Sequence, residues 1–260
     1  MHIDAGGHRL SFQLSGTGPP HFVCLHGLAD TLEIWDGLTQ RLAEHGQVIR
    51  FDQRAHGDSG APAGPYRRED LAGDVCALLT ELDVSRALLV GHSMGGIVAM
   101  CVALTEPERV AGLVLLGTAS ECSAKVAGWY ERIARAGERD GIEGIRTAIY
   151  GARSRREIRG DAQGLAHVTR CLKSLHADPL TPKLATLRCP TLLLAGERDP
   201  MGPGASVILQ RAVPGSKLEV VPGRGHWLHV EAPDTVFDAM SRYGFLSAQA
   251  GVLGLNVQDA

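Results

Sequence analysis

The chain of 260 residues carries 26 lysines and arginines against 29 aspartates and glutamates, a formal net charge of −3, and 44% of its residues are hydrophobic. Such a length supports one well-buried domain with room for an insertion. The charge balance gives no electrostatic footing for nucleic acid or an anionic membrane as partner.

The opening "MHIDAGGHRL" lacks both the basic and the apolar region of a secretory signal. No apolar run approaches the roughly 18 residues of a membrane span. The six cysteines (24, 76, 101, 122, 171 and 189) are scattered, and several sit inside apolar runs. There cysteine behaves as a small hydrophobe, so neither a disulfide framework nor a zinc site is expected. A protein of a reducing cytoplasm is the resulting expectation.

Short apolar runs alternate with helical segments along the chain. "HRLSFQL" has the two-residue period of a strand and is broken by "GTGPP". "HFVCLHG" is a second strand, "IWDGLTQRLAEHG" a helix, and "QVIRFDQ" a third strand. "REDLAGDVCALLTELDV" places Leu71, Val75, Leu78, Leu79 and Leu82 on one side of an amphipathic helix. Then come the strand "RALLVG", the helix "GGIVAMCVALTEPERV" and the strand "AGLVLLGT". This rhythm predicts an α/β fold, a mostly parallel sheet with helices on both faces.

The rhythm lapses after about residue 120. The stretch 121–187 is helical and richer in charge, and it includes Trp129, Tyr130 and Tyr150. It reads as a helical cap inserted in a core formed by 1–120 and 188–246. Within it, "GARSRREIRG" is expected to be a solvated loop or helix face. Sheet building resumes with "CPTLLLAGERDP", a helix through "ASVILQRAV", the strand "SKLEVVPG" and a last helix, "APDTVFDAMSRYGFL". Residues 247–260 have no period and read as a tail.

Ligands of open α/β sheets bind beyond the carboxyl ends of the strands. Four candidate sites fall at such ends: His26-Gly27, Ser93, Asp199 and His226. Ser93 lies in "GHSMGG", between a strand and a long helix. Gly91 and Gly95 permit the tight reversal that leaves its hydroxyl exposed, while the following helix aims its first amides at a developing oxyanion. A serine needs an adjacent base to act as a nucleophile. His226, in a glycine-bearing loop before the last helix, can reach it; His229 should instead turn into that helix. Asp199 would orient the imidazole and lies further out than its competitor Glu197. The oxyanion donors should be the backbone amides of Met94 and Leu28. The proposed chemistry calls for no metal and no cofactor.

These residues resemble the α/β-hydrolase superfamily. The matching segments are "LHG" at 25–27, "FDQRAHGDS" at 51–59, "GHSMGG" at 91–96, "LLLAGERDP" at 192–200 and "GHWLHVEAP" at 225–233. The resemblance implies an α/β-hydrolase fold and the triad order Ser, Asp, His. One departure is Ala55, where many members have glycine. "APAGPYRREDLAGDV" and the short cap are similar to the 3-oxoadipate enol-lactonase and carboxylesterase branch. A serine at position 93 argues against haloalkane dehalogenases and epoxide hydrolases, which place an aspartate there.

The leading expectation is a serine hydrolase of a small carboxylic ester or lactone, acting through an acyl-enzyme. A carbon–carbon hydrolase of ring-cleavage dienoates is the alternative, with Arg132, Arg135 or Arg146 recognising an acidic group. A cofactor-free haloperoxidase and a ligand receptor on the same fold also remain. Trp129, Tyr130, Tyr150, Met201 and Trp227 are candidate pocket walls, although such residues are more often ordinary core packing. The expected partner is a small molecule, and the oligomeric state is left open.

Overall fold

A computed structural model describes residues 1–247. Among them eight strands follow in chain order: β1 (His2–Asp4), β2 (Arg9–Ser15), β3 (His21–Leu25), β4 (Gln47–Phe51), β5 (Ala87–His92), β6 (Val110–Leu116), β7 (Thr191–Gly196) and β8 (Lys217–Val221). The α-helices are α1 (Asp36–Leu42), α2 (Arg68–Glu81), α3 (Met94–Thr105), α4 (Ala124–Tyr150), α5 (Ala162–Lys173), α6 (Gly202–Ala212), α7 (Leu228–Glu231) and α8 (Pro233–Arg242).

The strands make one sheet in the order β1-β2-β4-β3-β5-β6-β7-β8. β2 pairs antiparallel with both β1 and β4, and the remaining neighbours are parallel. This is the mostly parallel sheet expected from the alternation of runs, in the α/β-hydrolase architecture that the resemblance implies. β1 was not expected, because three residues are too few to show a period.

Side-chain alternation divides the strands between two cores. Phe22 and Cys24 of β3, Leu88 and Val90 of β5, and Val114 and Leu116 of β6 pack with Leu38, Leu42, Val236 and Met240 of α1 and α8. Their neighbours Val23, Leu25, Leu89, Leu113 and Leu115 face the other way, onto Leu71, Val75, Leu78 and Val98 of α2 and α3. Each fully buried side chain of this kind contributes about 1.5–3 kcal/mol. The apolar runs are thus continuous because both sheet faces are covered. α3 stops two residues before Pro107, which cannot donate the next helical hydrogen bond.

Between β6 and β7 lie α4, bent at Gly141 (φ 65°, ψ −152°), and α5. Ser123 and Asp161 cap these two helices by accepting from Val126 N and Gly164 N. Ile133, Ile145, Leu165, Val168 and Leu172 are buried between them and the core below. Residues 151–160 form the loop joining α4 to α5, in a region expected to be solvated. Two of its arginines are instead tied to the segment after β3, Arg156 to Asp30 and Arg159 to Glu33. The tail read over 247–260 lies, from residue 248 onward, outside the described residues.

Candidate active site

β5 is a central strand, flanked by β3 and β6, and the chain leaves it through Ser93 into α3. Ser93 has φ 50° and ψ −114°, a conformation that costs on the order of 1–3 kcal/mol outside glycine. The surroundings enforce it: Ser93 N donates to the Leu116 carbonyl at 2.9 Å, and Thr118 Oγ1 donates to the Ser93 carbonyl at 2.6 Å. A Cβ at Gly95 would overlap the Leu25 carbonyl, so the first turn of α3 sits against the end of β3. The Ser93 hydroxyl makes no hydrogen bond among the described residues and lines a cavity.

Asp199 follows β7 in a turn closed by its own amide on the Gly196 carbonyl at 3.1 Å. Its Oδ1 accepts from Met201 N at 2.8 Å and from His226 Nδ1 at 2.9 Å. Nδ1–H therefore donates to the carboxylate, which leaves Nε2 as the basic nitrogen of the neutral ring. The Asp199 side chain is 1% exposed and that of His226 14%, so the pair interacts largely out of water. The two competitors are placed elsewhere. Glu197 accepts from Gly223 N at 2.8 Å. His229, on α7, is fully buried against Trp35 and His92.

Ser93, Asp199, His226 and Leu28 line one cavity of about 260 Å³, below the usual range for drug-sized ligands. Trp129, Tyr130 and Tyr150 of α4, with Met201 and Trp227, complete much of its wall. The helical segment thus sits over the carboxyl end of the sheet. Arg132 and Arg135 are exposed on α4, and Arg135 pairs with Glu131. Arg146 binds Glu143 and the Ser154 carbonyl, so none of the three arginines reaches the cavity.

The amides of Leu28 and Met94 donate to no acceptor among the described residues; Leu28 lines the cavity, whereas Met94, buried at the start of α3, is not among its lining residues. His26 does not line the cavity. Its ring is a fastener: Nδ1–H donates to the Gly27 carbonyl at 2.8 Å, and Nε2 accepts from Gln53 N at 3.0 Å. Gln53 Nε2 completes the clasp on the His26 carbonyl at 2.7 Å. Burial holds the His26 ring neutral, lowering its pKa to about 4. The "DQRAHG" loop therefore positions the loop that carries Leu28. Ala55 within it adopts φ 68°, the left-handed conformation that favours glycine. Among the described residues no group of His, Cys, Asp and Glu is arranged to hold a metal ion.

A profile described as the alpha/beta hydrolase family matches residues 22–239. The chain belongs to the alpha/beta hydrolase family. It is 29% identical to 3-oxoadipate enol-lactonase 2 of Acinetobacter baylyi, over 82% of this chain and 84% of that one. The solved enol-lactonase from Burkholderia xenovorans is similar with a TM-score of 0.82 and 26% identity, covering 93% of this chain and 100% of that one. A thermophilic esterase from Thermogutta terrifontis is similar with a TM-score of 0.82 and 25% identity, covering 94% of this chain and 98% of the esterase.

Two features of this alpha/beta hydrolase escaped sequence reasoning. His92 donates from Nε2 to the His226 carbonyl at 3.0 Å, and its ring lies 4.7 Å from that of His226. Burial pushes the His92 pKa well below the usual value, so it is a neutral His92 ring that holds the His226 backbone in place. Its place beside Ser93 was the only available signal. The second is Asp30, whose carboxylate accepts from Arg156 Nη2 at 2.6 Å and from Trp227 Nε1 at 3.2 Å. Burial raises the Asp30 pKa, against the pull of the Arg156 guanidinium. No local pattern joins residues 30, 156 and 227, so this contact was not legible. Among the described residues no helix is long and apolar enough to cross a membrane.

Proposed function

We propose that this alpha/beta hydrolase cleaves a small carboxylic ester or lactone through an acyl-enzyme on Ser93, His226 and Asp199. The observation that carries the reading is the Asp199–His226 hydrogen bond opening onto the cavity lined by the strained Ser93. Ser93 Oγ attacks the carbonyl carbon while His226 Nε2 takes its proton. The Leu28 and Met94 amides receive the oxyanion of the tetrahedral intermediate. Collapse breaks the carbon–oxygen bond, and the imidazolium returns the proton to the leaving alcohol. Water then gives a proton to Nε2 and attacks the acyl carbon; collapse breaks the bond to Ser93 Oγ, which takes that proton from Nε2 as the acid leaves. Asp199 stabilises the imidazolium in both halves.

Residues 121–187 act as the cap that shapes the acyl and alcohol sites, since α4 supplies three aromatic walls. The enol-lactonase and esterase relatives support ester or lactone chemistry. The arginines offered for the carbon–carbon alternative, Arg132, Arg135 and Arg146, do not line the cavity. Purified protein should hydrolyse short p-nitrophenyl esters and react with a fluorophosphonate probe, with Ser93→Ala abolishing both. Equal labelling of Ser93→Ala and wild type would refute the assignment.

A further inference from the structure

The cavity wall has a charge arrangement that the reaction does not use. None of its lining residues is a lysine or arginine, and the one carboxylate besides Asp199 is Asp30. The Asp30 side chain is only 3% exposed, while its partner Arg156 is 34% exposed and does not line the cavity. Arg156 is held outside. Its guanidinium donates to Asp30 and lies over the rings of Trp227, at 4.4 Å, and Tyr150, at 4.9 Å. The Trp227 indole N–H is also committed to Asp30. His92, the basic side chain of the wall besides His226, is buried and neutral.

We infer that this site selects neutral substrates with apolar or aryl groups and rejects esters and lactones bearing a second carboxylate, with Asp30 as the specificity-determining residue. The inference rests on the hydrolase reading above. A substrate carboxylate entering the cavity would lose its water, find no cation, and face the Asp30 carboxylate. The apolar part of a neutral substrate meets two of the chain's three tryptophans and two of its four tyrosines. Aromatic faces suit flat or aliphatic groups. Selectivity then comes from a repulsive element placed against the wrong ligand as much as from contacts with the right one.

The charge arrangement makes the selectivity reversible by one substitution. Asp30→Asn removes the anion and releases Arg156, whose guanidinium already lies against two cavity walls. The test compares p-nitrophenyl valerate with mono-p-nitrophenyl glutarate, whose acyl chain has the same length and ends in a carboxylate. Wild type should favour valerate by about 100-fold or more in kcat/KM. Asp30→Asn should narrow that ratio by at least about 10-fold, and adding Arg156→Met should widen it again only in part, because the released cation is gone while the repelling anion stays removed.

Wild-type turnover of glutarate as efficient as that of valerate overturns the inference and leaves the hydrolase reading standing. An unchanged ratio in a folded Asp30→Asn protein removes Asp30 from the explanation and overturns the inference likewise. Failure of wild type to turn over either ester, together with no fluorophosphonate labelling, overturns the hydrolase reading itself. The wild-type comparison requires no variant to fold.

Discussion

Gly117, at the end of β6, is the position where one added methyl group should separate catalysis from folding. Its φ is +52°, and its amide donates to the Leu194 carbonyl at 3.0 Å. A Cβ there would lie 2.8 Å from Asp199 Oδ2 and 3.1 Å from His226 Nδ1. Comfortable heavy-atom contact needs about 3.5 Å, so the carboxylate must retreat by roughly half an ångström or more. Asp199 Oδ1 holds His226 at 2.9 Å and Met201 N at 2.8 Å, so any retreat loosens both bonds. A 1 Å misplacement of a catalytic group costs about 100-fold in rate, and a shift of this size about 10- to 100-fold. Left-handed alanine itself costs about 1–2 kcal/mol. Gly117→Ala should therefore fold with lowered stability while losing about 10- to 100-fold in kcat, at little change in KM. The assay is steady-state hydrolysis of p-nitrophenyl butyrate beside urea denaturation. A folded variant with wild-type kcat would refute the claim that Gly117 makes room for the Asp199–His226 couple.

Asp199→Asn keeps the shape of the carboxyl group but no longer enforces the Nδ1–H tautomer of His226; kcat should fall about 10⁴-fold, and a loss under tenfold would exclude the orienting role. Stability should also fall in acid. Burial lowers the pKa of His26 to about 4, and of His56 and His229 to about 3, below the ordinary 6.5. The unfolded chain then binds more protons than the folded one between those values, so stability is full above about pH 6.5 and is lost as pH falls toward 4. Each ring should cost about 2 kcal/mol by pH 5, visible as a falling urea midpoint. Neither nitrogen of His229 has a partner, so His229→Leu should flatten that slope by about one proton. A midpoint constant from pH 7 to pH 5 would contradict the neutral buried cluster.

The local order of this protein was legible without coordinates. The apolar "LLV" and "VLL" runs read as buried strands, but the helix read through "GGIVAMCVALTEPERV" overran its end, since α3 stops at Thr105 before Pro107. The Gly91–Ser93–Gly95 spacing identified a sharp strand-to-helix turn, because steric exclusion there acts between near neighbours in the chain. Strand order was not legible, since β3 lies between β4 and β5 through parallel crossovers that leave no local trace. The same holds for the site. That Ser93, Asp199 and His226 stand at strand ends follows from sequence, but their meeting at one cavity depends on how β5, β7 and β8 are ordered. Arg156 shows the limit most sharply. In "GARSRREIRG" it was one cation among several, indistinguishable from a solvated loop. Only the folded chain brings it across 126 positions to Asp30, where a buried carboxylate needs a partner and Trp227 supplies the second donor. Short-range sterics and periodicity are encoded locally, whereas the pairing of buried charges is decided by packing between distant segments.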